Sequence, residues 1–217
     1  MKRFLSLFFL SVLFVSASAQ ITHSDAGAVD SKAADLLKQA ASLFSRQAVS
    51  FQVTMINYDT SKKETARMTA KVLFNKNHYR VIAPDQELYC DGQSVWHWNK
   101  EVDEVVVNPM EEDDDNLFNP AHLLRTYEKQ FRAKYIRTDA DGTAVIDLQP
   151  RQSKSYHKLR LLIREKLHEL KGMEIHNYDG SRGVYQISDF RRGVACKDSD
   201  FLFDTVAHPD VEVIDMR

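Results

Sequence analysis

The sequence predicts a mainly β, α+β fold, a long antiparallel meander carrying two helices. Three observations carry this. From about residue 51 apolar and polar side chains alternate at period 2, as in "ETARMTAKVLFN" (64–75). Asp-Gly dipeptides at Asp91-Gly92, Asp141-Gly142 and Asp179-Gly180 punctuate the alternation, and such pairs accept the positive φ of tight hairpin turns. Only residues 31–46 and 119–131 switch to helical spacing.

The chain begins with Lys2 and Arg3, an apolar run from Phe4 to Val15, and "SASAQ". A charged head, an apolar middle and an Ala-x-Ala site predict a signal peptide over residues 1–19, cleaved after Ala19. A membrane anchor would need about 20 apolar residues, more than are present. Gln20 follows the site, so the mature end has no cysteine to lipidate. A soluble, exported, periplasmic protein is expected. Without Lys2 and Arg3 the formal charge moves from −2 to −4, which speaks against a nucleic-acid partner. Seven glycines leave little material for phosphate-cradling loops.

Residues 20–30 form a polar segment expected to be mobile, and 31–217 suit a single domain. In the first helix Ala33, Leu36, Leu37, Ala40, Ala41 and Phe44 share a face, with Ser31 available as N-cap. Strands are then expected at "SFQVTMINY", "ETARMTAKVLFN", "HYRVI", "ELYC", "SVWHWN" and "EVDEVVVN". The stretch 108–118 interrupts them. Asn119 as cap and Pro120 in the first turn open the second helix, whose stripe is Leu123, Leu124, Tyr127 and Phe131. Strands resume at "AKYIRT", "TAVIDLQP", "HKLRLLIRE", "MEIHNYD" and "GVYQISDF", and "FLFD" and "VEVID" close the chain. A sheet of ten or eleven strands has to curl or close. Two helices cover only part of one face, which leaves either a closed barrel or an apolar, lipid-sized hollow.

Chemical constellations are scarce. Eight histidines include no pair at the spacing of a zinc site, so a metal is not expected. Glu111 to Asp115 ("EEDDD") lacks the ligand alternation and glycine of a calcium loop and reads as a solvated acidic loop. No Gly-x-Ser-x-Gly elbow occurs, so no catalytic residue, cofactor or enzyme activity is expected. Cys90 and Cys196 could bridge in an oxidising compartment or remain two thiols; sequence leaves both open. Trp96 and Trp98, the only tryptophans, share one strand face, with His97 opposite.

The order of elements resembles the LolA family of periplasmic lipoprotein carriers. "APDQELYCDGQSVWHWN" (83–99) is similar to the family's P-D…D-G-x-x-x-W-x-x-N pattern, and "FLFDTVAHPDVEVIDMR" (201–217) to its closing F-x-F…V-x-V-x-D-x-R. The resemblance implies an incomplete, strongly curved antiparallel barrel of about eleven strands, with helices lidding the open side over a cavity for acyl chains. It implies a carrier without chemistry, acting as a monomer. Its partners would be acylated lipoproteins, an inner-membrane lipoprotein-releasing ABC transporter as donor, and an outer-membrane acceptor. A lipid-sensing or other lipid-binding protein, or a secreted lipid hydrolase, are the alternatives. The expected cavity residues are Met68, Ala70, Val72 and Phe74, then Trp96 and Trp98, and Ile146, Leu148, Leu159, Leu161 and Ile163 on the far wall. Leu123, Leu124 and Tyr127 are the expected lid. Family members latch the lid with a basic residue followed by proline; "LFNKNHYRV" has no proline, and Lys76 and Arg80 are the candidates for that role.

Overall fold

The computed structural model describes residues 30–110 and 120–217. The expected leader, Asn119 and the acidic stretch 111–115 lie outside the described residues. Helix α1 (Ser31–Arg46) precedes six strands: β1 (Val49–Tyr58), β2 (Glu64–Asn75), β3 (His78–Ile82), β4 (Gln86–Cys90), β5 (Ser94–Asn99) and β6 (Glu104–Pro109). Helix α2 (Pro120–Gln130) leads into β7 (Phe131–Thr138), β8 (Thr143–Pro150), β9 (Tyr156–Arg164), β10 (Glu169–Asn177) and β11 (Arg182–Arg192). A 3-10 turn (Asp198–Phe201) and β12 (Glu212–Asp215) follow.

The twelve strands of the described residues belong to one open sheet, ordered β12-β6-β5-β4-β3-β2-β1-β11-β10-β9-β8-β7. Two antiparallel runs, β1 to β6 and β7 to β11, meet where β1 pairs with β11. The three Asp-Gly turns form as their sequence predicts, with φ of 85°, 78° and 89° at Gly92, Gly142 and Gly180. At the first, the Asp91 carboxylate accepts from the N–H groups of Gln93 and Ser94 at 2.9 and 2.7 Å.

Three local expectations need correction. The cap of α1 is Asp30, one residue before Ser31. Its carboxylate accepts from Ala33 N–H at 3.1 Å and from the edge-strand N–H of Tyr135 at 2.8 Å, two bonds a serine hydroxyl could not span. "FLFD" is not a strand; the chain turns there so that Phe201 and Phe203 can be buried. β12 forms where a strand is expected but runs parallel to β6, Val213 opposite Val105, breaking the expected all-antiparallel pattern.

Side-chain alternation gives the sheet two different faces. On the helix side α1 buries Ala33, Leu36, Leu37, Ala40 and Phe44. Phe44 meets Phe74 edge to face at 5.5 Å, and Phe190 stacks on Phe51 at 5.7 Å. Leu123, Leu124, Tyr127 and Phe131 join this core, so α2 lies beside α1 on the same face. The outer face of β4 to β6 carries a second, smaller apolar cluster.

Candidate functional site

The strand register builds a continuous row across the helix side of the sheet. Tyr135, Ile146, Leu161, Met173, Tyr185, Met55 and Met68 are neighbours in turn from β7 to β2. A second row runs from Phe51 through Val72, Val81, Leu88 and His97. Between these rows and the N-terminal turn of α2 lies an apolar hollow of about 720 Å³. That volume falls in the usual range of small-ligand sites, roughly 300–1,000 Å³. Its walls are aliphatic, aromatic and thioether side chains, and α2 contributes Pro120, Leu123 and Leu124. Methionines at 55, 68, 110 and 173 make much of this surface deformable. Burial alone raises the Tyr185 hydroxyl above its ordinary pKa. A separate polar hollow of about 800 Å³ lies at the turn end of β9 to β11, and Tyr185 lines both.

The expected site residues divide into three groups. Met68, Val72 and Leu161 of the sheet, with Leu123 and Leu124 of α2, line the hollow. Ala70, Phe74, Ile146, Leu148, Leu159 and Ile163 lie on the helix side of the sheet without lining it; all are buried. Phe74, Ile146, Leu148, Leu159 and Ile163 belong to the core that the two helices cover. Tyr127 is buried there too, its hydroxyl pushed up to about 12 by burial and then by Glu128. The reason is coverage. α1 lies over part of the sheet and fills what would otherwise be lumen, so only strand positions beyond its reach stay open.

Trp96 and Trp98 are on the opposite face, a correction to their expected place in the cavity. Register sets Trp96 between Tyr89 and Val107, and Trp98 between Glu87 and Val105. Trp98 meets Phe203 at 5.5 Å and His208 at 4.6 Å, and its Nε1–H donates to Asp103 at 3.2 Å. The tryptophans therefore hold the C-terminal segment against the outside of the hairpin. His97, between them, faces the hollow.

Among the described residues neither latch candidate is bonded to α2. Lys76 occupies the β2–β3 turn with φ 60°. Arg80 lies on the outer face, donating to Glu87 at 2.9 Å and to the Tyr89 hydroxyl at 3.0 Å, its guanidinium 4.7 Å from the Tyr89 ring. Burial works against ionising Glu87, but Lys100, Tyr89 and Arg80 together hold its carboxyl below the ordinary value. Cys90 is buried and Cys196 half-buried; they are not bridged. Burial raises both thiols, so neither is activated as a nucleophile. Among the described residues no cluster of three His, Cys, Asp or Glu could hold a metal, and no helix is long and apolar enough to cross a membrane.

A model of the family described as outer membrane lipoprotein carrier protein LolA matches residues 79–204, from β3 through the hairpin and α2 to Phe203 and its neighbour. The chain belongs to the LolA family. An outer-membrane lipoprotein carrier protein of Methylobacillus flagellatus is 29% identical over 128 residues, 58% of this chain and 61% of that protein. The chain thus aligns with under two thirds of that relative. Among solved structures, an uncharacterised conserved protein of Thermus thermophilus superposes with TM-score 0.60 at 12% identity, over 85% of this chain and 99% of the other. MucB in the Pseudomonas aeruginosa MucA/MucB complex superposes with TM-score 0.50 at 15% identity, over 80% of this chain and 62% of the other. At such identities these likenesses speak for the fold alone.

Proposed function

We propose that this LolA family member is a periplasmic carrier that shields lipoprotein acyl chains in its hollow and moves them from inner to outer membrane without covalent chemistry. One observation carries the reading: an apolar hollow of about 720 Å³ bounded by a bent sheet on one side and by Leu123 and Leu124 of a single short helix on the other. Burying a methylene contributes about 0.8 kcal/mol, so one sixteen-carbon chain contributes on the order of 12 kcal/mol gross. The carrier has to recover most of that and still release its load. α2 provides the means. In the empty state its leucines cover part of the hollow; cargo displaces them, and giving up that packing lowers net affinity. Lid closure in this reading rests on the apolar contact of Leu123 and Leu124 with the hollow. The donor is an inner-membrane lipoprotein-releasing transporter and the acceptor an outer-membrane receptor.

Purification of the protein from its own periplasm, followed by mass spectrometry of what accompanies it, tests this. Di- or triacylated lipoproteins are the expected companions. Cleaved acyl products would point to a hydrolase instead, and free lipids without lipoprotein to a lipid sensor.

A further inference from the structure

The hollow has one polar corner, and its chemistry is specific. Among the described residues that line it there is no Lys, Arg, Asp or Glu. Aside from tyrosines, its polar side chains are Gln86, His97 and Asn108, on the adjacent strands β4, β5 and β6. Register places His97 opposite Val106, two residues from Asn108 on the same face. His97 Nε2 lies 2.8 Å from Gln86 Oε1. That oxygen can only accept, so in this contact Nε2 is the donor, and Nδ1 is left to accept whenever the ring carries a single hydrogen. Among the described residues the other end of the Gln86 amide, Nε2, meets the weakly accepting Met68 sulfur at 4.0 Å. The pair therefore offers a strong donor and a strong acceptor side by side, at the edge of an apolar chamber.

We propose that this corner, given the carrier reading on which it rests, is an amide clamp that selects amide-linked acyl chains. A secondary amide has a carbonyl for the Gln86 N–H₂ and an N–H for His97 Nδ1, with Asn108 able to serve either group. A free fatty acid presents a carboxylate, which only accepts. It meets the His97 lone pair and finds no lysine or arginine lining the hollow. A few placed polar groups in a greasy cavity set orientation and specificity in this way.

The test uses the purified protein and three probes at one pH: N-phenyl-1-naphthylamine as an apolar reporter, and N-palmitoyl-cysteinamide and palmitate as competitors. In the unaltered protein the amide should displace the reporter at a concentration at least about tenfold below that of palmitate, the worth of one well-made hydrogen bond. Gln86→Leu and His97→Phe should each bring the two competitors within about twofold of one another, each read against the reporter's own affinity for that variant. His97→Lys should reverse the order by supplying a cation for the carboxylate. Equal competition in the unaltered protein overturns the clamp, as does a preference that survives both variants. A parallel loss of reporter binding would make the residues merely structural and overturn it too. Failure of the reporter to bind the unaltered protein at all would remove the carrier reading and the clamp with it.

Discussion

Replacing Trp98 with alanine separates the two faces of the sheet. The ring packs on Phe203 and His208 at 5.5 and 4.6 Å, receives the Lys100 ammonium at 5.3 Å, and donates to Asp103. Truncating a fully buried tryptophan costs about 3–5 kcal/mol. Trp98 is half-buried, and its hydrogen bond is exposed, so the expected loss is roughly 2–3 kcal/mol. For a protein of roughly 150–250 residues that lowers the melting temperature by about 5–10 °C. Thermal unfolding followed by circular dichroism measures it. Limited proteolysis should show cleavage of the C-terminal segment first, since its aromatic anchor is gone. The affinity for N-phenyl-1-naphthylamine below the melting point should not change, because the hollow is on the other face. Lost reporter binding with unchanged stability would refute the assignment and return the tryptophans to the cavity wall.

Three further outcomes are expected. Leu124→Glu removes a leucine that covers the hollow, and losing about 2 kcal/mol of apolar contact should cut reporter and lipoprotein loading at least tenfold while far-ultraviolet dichroism persists; unaltered loading would count against α2 as lid. Glu87→Gln leaves Arg80 and Lys100 with a neutral partner. Because the folded carboxyl is held below the ordinary 4.5, its stabilisation is present above that value and lost as pH falls through the lowered folded value. The variant should therefore be less stable at pH 7 and show a flatter acid limb in urea titrations from pH 5 to 2; an unchanged slope would argue against the buried ion pair. In Gly172→Ala the new Cβ would come within 2.6 Å of the Tyr185 carbonyl oxygen, pushing β10 from β11 beside the hollow. Overpacking of this kind costs about 1–3 kcal/mol, readable as a lower urea midpoint, and a neutral result would mean the strand pair yields freely.

Much of this architecture is legible in the chain. Period-2 alternation marks β2 and β8 to β11, and the Asp-Gly dipeptides mark three turns that form with positive φ. The Ala33-to-Phe44 stripe marks α1, because spacing on a helix follows from local geometry alone. Which face of a strand turns inward is a tertiary matter. On β2 the apolar face is the inner one, so Met68 and Val72 can be read directly as wall. On β5 both faces carry large side chains, and the aromatic one looks the better lumen. Only the partner Phe203, over a hundred residues later, decides that Trp96 and Trp98 face out. β1 gives no sign of being a wall, because Phe51, Val53 and Met55 alternate with Gln52 and Thr54 without any distinguishing motif. The filling of the far wall by α1 depends on where that helix lies, which no local pattern encodes.

The sheet ends in two unjoined rims, β7 at one side and β12 at the other. A closed barrel has its bore fixed by strand number and stagger. An unclosed one carries no such gauge, since its margins can splay by small changes in twist while every ladder bond survives. On the carrier proposal, a vessel of this make would stretch to loads of different girth, one tail or several, without a separate form for each.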